Sequence, residues 1–213
     1  MHNWWFSLNV RGKDILYGLL AAVTLYGVGF AFSLLLGVVE VVSFHYQPLQ
    51  LLRDLFYCFL IALFEEIVAR GLVLGGLLRM RMNRFLALAL SSILFGFMHL
   101  FNPGLAWLPL FNIILAGAML GAAFLYTRNL WFAISLHLFW NWIQGPVLGY
   151  GVSGNSFGSS LVSIRLSGNT LLSGGTFGFE GSILCTVLLA LFTAFIICWF
   201  ERGAFKPTDK ACN

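Results

Sequence analysis

The sequence predicts an all-α fold: a polytopic membrane helical bundle of about six transmembrane helices, forming one integral membrane domain over residues 1–213. Three observations predict it. Of the 213 residues, 60% are hydrophobic and only 9% are charged, whereas a soluble domain carries about 25% charged residues. Six stretches approach the roughly 20 apolar residues that a spanning helix needs: 15–39, 55–78, 85–101, 105–126, 130–149 and 182–200. Basic residues mark alternate ends of these stretches, as expected when successive spans reverse direction and keep their basic ends on one side.

Each stretch has a reason to begin or end where it does. The first follows Arg11 and Lys13 and is too long for the apolar core of a signal peptide, so it reads as a retained helix or a signal anchor. The second ends before Arg79, Arg81 and Arg84, and the short third ends at the turn signal Asn102-Pro103-Gly104. Gly71/Gly75 and Gly117/Gly121 have GxxxG spacing, which serves dimerisation or close packing within one bundle. Trp4, Trp5, Trp107, Trp131, Trp140 and Trp142 read mostly as an interfacial belt. Between the fifth and sixth stretches lies a Gly/Ser-rich segment, 150–181, long enough to be a lid, a re-entrant piece or a flexible loop.

An even number of spans puts Arg11, Lys13, Arg79, Arg81, Arg84, Arg128, Arg202, Lys206 and Lys210 on one side, leaving Arg53 and Arg165 on the other. The basic side is the cytoplasm, so both termini lie inside and the cell membrane is the expected location. The net charge of +4 is too dispersed for a nucleic-acid surface and suits an anionic bilayer face. Cys58, Cys185 and Cys198 fall in apolar runs and Cys212 in the tail. They fit neither a disulfide framework nor a zinc knuckle, and read as small buried hydrophobes plus one tail thiol.

Inside the predicted spans, the charged residues deep in apolar sequence are Glu65, Glu66 and Arg70. One ionisable residue at the bilayer centre costs roughly 2.5–3.5 kcal/mol. Three of them must therefore be paired, hydrated or both. Glu66 and Arg70 are four apart and share a helix face, so they can pair. Glu65 lies about 100° around the helix and is left to face a cavity. Adjacent carboxylates repel in low dielectric, which eases proton uptake by one of them, as a general base requires.

Depth brings other helices to the same layer. At about 1.5 Å per residue, Glu65 lies about 21 Å above Arg79, His99 about 22 Å above Arg84, and Asn141 about 20 Å above Arg128. His137 and Arg70 each lie about 14 Å above their own basic marker. A lone membrane His also occurs as a packing residue, and a lone Asn as interhelical glue. A buried carboxylate pair in one layer with His and Asn points to function.

These residues carry a resemblance. Glu65-Glu66-Ile67-Val68-Ala69-Arg70, Phe95 to His99, and His137 to Asn141 resemble, in order, the three motifs of the CPBP family, the CAAX proteases and bacteriocin-processing proteases. The resemblance covers about residues 60–145. Family members often place an aromatic residue where Ala69 stands. The resemblance implies a helical bundle around a polar cavity and a glutamate-dependent intramembrane endopeptidase without a cofactor. It implies that Glu65 and His99 activate water, that Glu66 and Arg70 support the site, and that His137 and Asn141 form the oxyanion hole. The implied substrate is a membrane-associated peptide or protein.

Other chemistries remain open at this point. Two Glu and two His also suit zinc, although no HExxH occurs. Gly151-Val152-Ser153-Gly154 resembles a rhomboid serine motif, but it falls in the outer segment with no His after it. A proton-coupled carrier uses similar buried groups. A non-catalytic immunity or scaffold protein would keep the helices alone.

Overall fold

A computed structural model describes residues 10–203. Trp4, Trp5, Lys206, Lys210 and Cys212 lie outside the described residues. Helices run through all six apolar stretches. The first, α1, spans Gly12–Leu35. It stops short of Val39, where the apolar run had suggested its end. Gly37 adopts φ 65°, and Val38 N–H reaches back to Ser33 O at 3.1 Å while Gly37 N–H bonds Leu34 O at 3.0 Å. Glycine allows this left-handed closure, which ends the helix. The chain leaves as strand β1, Val39–Phe44.

α2 is Pro48–Glu66, with proline in its first turn, where a missing N–H costs nothing. It continues without a break through a π-helical segment, Ile67–Leu74, into α3, Gly75–Arg79. α4 (Arg84–Phe97), α5 (Trp107–Thr127) and α6 (Leu130–Trp142) follow, and α6 runs on into a π-helical turn, Ile143–Val147. Asn83 caps α4 by accepting from Phe85 N–H, and Asn129 caps α6 by accepting from Trp131 N–H. These caps set where both site-bearing helices begin. The outer segment contains β2 (Val162–Leu166) and the one-turn helix α7 (Thr170–Ser173), and the chain closes with α8, Ile183–Glu201.

By length and composition, α1, α5 and α8 are long and apolar enough to cross a membrane. α4 has 14 residues, about 21 Å of rise against a hydrocarbon core of about 30 Å. The outward side of α8 carries Ile183, Val187, Leu191, Phe195 and Trp199 at every fourth residue, all exposed. Such an apolar stripe is stable only against lipid or another protein. The chain is an integral membrane protein.

α1 packs along α6, α2 against α6, α4 against α5, and α5 against α8. Small residues let the first pair close. A Cβ on Gly18 would sit 2.6 Å from Ser135 Cβ, and Ser135 Oγ donates to Ile15 O at 2.7 Å. Gly18→Val should therefore force α1 off α6 and cost about 1–3 kcal/mol, read as a lower thermal midpoint of the detergent-purified protein. Gly117 and Gly121 lie against α4 at Ser92 and Leu88, so this GxxxG face is occupied within one chain.

The sequence reading had no strands. β1 and β2 pair antiparallel, Val39 opposite Leu166 and Phe44 opposite Val162, with Arg165 bonding Glu40 at 3.0 Å. The pair ties the outer segment to the end of α1. That segment is folded through backbone contacts. Gly178 has φ 97°, and a Cβ there would collide with the carbonyl of Gly151.

Two minor readings change. Cys198 is exposed rather than buried, because it lies on the outer side of α8. Trp140 is 4% exposed and donates its indole N–H to Glu180 at 2.8 Å, so it belongs to the interior and not to an interfacial belt.

Candidate active site

Glu65 and Glu66 end α2, where the rod widens into π-helix. Such turns leave carbonyls without their usual partner, and Ala69 O is met by Ser91 Oγ from α4 at 2.9 Å. Arg70 lies within the widened segment and is fully buried. Its NH1 donates to Glu66 Oε1 at 2.9 Å and its NH2 to Gly117 O at 2.9 Å. The guanidinium also lies 4.3 Å over the Phe95 ring. Glu66, equally buried, accepts a second bond on the same oxygen from His137 Nδ1 at 2.8 Å. Arg70, Glu66 and His137 thus form a chain that links α2 to α6.

His99 lies in the turn that follows α4. Its Nδ1 is 2.9 Å from Phe95 O. A carbonyl only accepts, so Nδ1 carries a proton, and the neutral form of the ring then has its lone pair on Nε2. That Nε2 is 3.8 Å from Glu65 Oε2, and His137 Nε2 is 3.9 Å from the same oxygen. Glu65 Oε2 makes no hydrogen bond to protein among the described residues. Asn141, one turn beyond His137 on α6, is 6% exposed and shares a cavity with Glu65, His99 and His137. The cavity has a volume of about 520 Å³. The structure thus gathers the named residues in two tiers. Glu65, His99, His137 and Asn141 face the cavity, and Glu66 and Arg70 lie behind them. Among the described residues, no three His, Cys, Asp or Glu stand at metal-ligand spacing.

Residues 47–143 match an Rce1-like family model. Its full description is type II CAAX prenyl endopeptidase Rce1-like. The match agrees with the resemblance to the CPBP family. Neither a curated protein nor a solved structure matches the chain. The Rce1-like segment runs from just before α2 to the end of α6 and so contains all six named residues. It starts earlier than the core read from the motifs, taking in the outer turns of α2 and with them Asp54. α1, α8 and the outer segment fall outside it.

Among the site's surroundings, Asp54 and Glu180 went unmarked in the sequence, and Ser153 was marked only by its resemblance to a serine motif. Asp54 and Ser153 line the cavity. Glu180 accepts from Trp140 Nε1, from Ser153 N–H at 2.7 Å and from Ser153 Oγ at 2.8 Å. Glu180 and Ser153 also line a small space, about 20 Å³, with His99 and His137. Ser153 has φ 48°, and its carbonyl accepts from Asn102 Nδ2 at 2.9 Å. The outer segment therefore roofs the cavity, and the buried Glu180 carboxylate is one of several groups that fasten it to the helices. Helical spacing carried no signal for this, because the partners lie 27 and 40 residues apart.

Proposed function

We propose that the chain is an intramembrane endopeptidase that hydrolyses a peptide bond with a water activated by Glu65 and His99. The observation that carries this reading is the 3.8 Å separation of Glu65 Oε2 from His99 Nε2 at the cavity wall. Two acceptors at that spacing share one water, each at about 2.8 Å. Both draw on its protons and free its lone pair for the carbonyl carbon of the substrate. Glu65 takes one proton as the C–O bond forms, and it returns the proton to the leaving nitrogen as the C–N bond breaks.

The oxyanion needs donors. Asn141 supplies an amide N–H. His137 has its Nδ1–H engaged by Glu66, so its Nε2 donates only when the ring carries both protons. Glu66 and Arg70 hold that ring in place and do not touch the substrate.

The Rce1-like match supports a CAAX-protease-type enzyme, and the glutamate chemistry is inferred from the geometry. The substrate is then a membrane-associated peptide or protein. The remaining helical rods complete six spans, with both termini in the cytoplasm of a cell whose plasma membrane holds the protein.

Purified protein should cleave members of a quenched membrane-peptide library, and a chelator should leave the rate unchanged. Loss of cleavage with chelator, restored by zinc, would replace this reading with a metalloprotease. A second reading draws on the Ser153–Glu180 hydrogen bond, which pairs a hydroxyl with a carboxylate beside His99. Ser153→Ala separates the two. The backbone N–H still holds Glu180, so cleavage should stay within about threefold of wild type, whereas loss of a nucleophile costs on the order of 10⁶.

A further inference from the structure

The cavity continues outward from the candidate water site along one face of α2. Asp54, Cys58, Ile61 and Glu65 all line it, and their spacing of four, three and four residues is one helical stripe. Glu65 lies at the inner end and Asp54 near the outer end, about 16 Å away along the axis. Asp54 is 7% exposed. Both of its carboxylate oxygens are met by a single amide, Gln50 Nε2, at 2.8 and 2.9 Å. An uncharged amide shields a buried carboxylate poorly. Among the described residues, no lysine or arginine lines the cavity. Arg53, next in sequence, is exposed and lies outside the lining. Arg70 is committed to Glu66 and Gly117. The facing roof, Val152 to Gly158, contributes only uncharged side chains.

We infer that Asp54 is a specificity subsite that takes a cationic side chain of the substrate, a lysine or arginine, about three to five residues from the scissile bond. This inference rests on the peptidase reading above and names the substrate class for that same cavity. The spacing follows from chain geometry. An extended peptide rises about 3.3 Å per residue, so about five residues cover the distance from Glu65 to Asp54. A long basic side chain reaching outward shortens that number. A cation there completes the charge that Gln50 leaves uncompensated. An acidic side chain at that position meets like charge and is rejected.

The test uses full-length protein in nanodiscs with quenched peptides that differ only in Lys, Gln or Glu at single positions around the cleaved bond. Wild type should favour Lys over Glu by about tenfold or more in kcat/KM at one such position. Asp54→Asn keeps the bond from Gln50 and should bring that ratio near one. Asp54→Lys should invert it, an outcome that misfolding cannot produce. An unchanged ratio in Asp54→Asn, on peptides it cleaves, would overturn the inference. Fluorescence anisotropy with the same peptides, labelled and uncleavable, reads the preference without turnover. Lys-selective binding that Asp54→Asn removes, in a protein that cleaves nothing, would uphold the subsite and sink the peptidase reading. Binding indifferent to charge would sink the subsite whatever the protein cleaves.

Discussion

Glu65→Gln should lower cleavage by about 10²–10⁴-fold, the usual contribution of a positioned general base, with the fold intact. The substitution is nearly isosteric. It removes a negative charge from an oxygen that no donor among the described residues satisfies, so stability has little to lose. It also replaces one of the two acceptors that share the attacking water with a carboxamide, which takes no proton. His99 still presents Nε2 and Asn141 still donates, so substrate binding should persist while kcat falls. The measurement is steady-state cleavage of the best library peptide, with thermal unfolding of both proteins as the control for folding. Full activity in a folded Glu65→Gln protein would end the glutamate mechanism. Proton flux in liposomes that this same substitution abolishes, without any cleavage, would favour a carrier instead.

Arg70→Met should cost about 3–5 kcal/mol of stability, the usual penalty for breaking a buried ion pair from one side. Arg70 and Glu66 have no exposed side-chain surface and meet at 2.9 Å. Removing the guanidinium leaves Glu66 as a buried carboxylate held by His137 alone, and it strips Gly117 O of its donor. The double variant Glu66→Gln with Arg70→Met removes both charges and should recover much of the loss. Unfolding of all four proteins in detergent closes a double-mutant cycle, in which the pair should couple strongly. An Arg70→Met protein as stable as wild type would mean that this pair does not neutralise a buried charge. Glu66→Ala alone is less informative, because it strands Arg70 in the same way.

Much of the site was legible because charge is so scarce in the apolar stretches. Glu65, Glu66 and Arg70 stand out against runs with no Asp, Glu, Lys or Arg, and counting helical rise from the basic ends brought His99 and Asn141 to the depth of Glu65 and His137 to that of Arg70. The i, i+4 ion pair follows from helix geometry alone. Asp54 carried a signal that was passed over: it lies eleven residues before Glu65 on the same face. Glu180 carried none and Ser153 only its resemblance to a serine motif, since a Gly/Ser-rich segment has no period and their meeting with Trp140 depends on tertiary closure. The strands were partly readable. Val39-Glu40-Val41-Val42-Ser43-Phe44 and Val162-Ser163-Ile164-Arg165-Leu166 are β-branched and roughly alternating, but the first was absorbed into the apolar run of α1. Gly37 was the available stop signal.

The π-helical stretch Ile67–Leu74 has one more consequence. An α-helix closes each hydrogen bond over four residues and a π-helix over five, so this stretch resets the phase of the rod. The side of α2 that presents Glu65 to the cavity and the side of α3 that meets the lower bundle are set in different registers. Losing a single residue between 67 and 74 would let the rod relax to ordinary α-helix with the parts on either side close to their present phase. Relaxing the full eight residues to α-helix without that loss would instead swing all that follows by roughly 100° or more relative to Glu65. The hydrogen-bonding pattern of this stretch thus sets the phase of the rod, while its buried Ala69, Arg70 and Leu74 fix its packing.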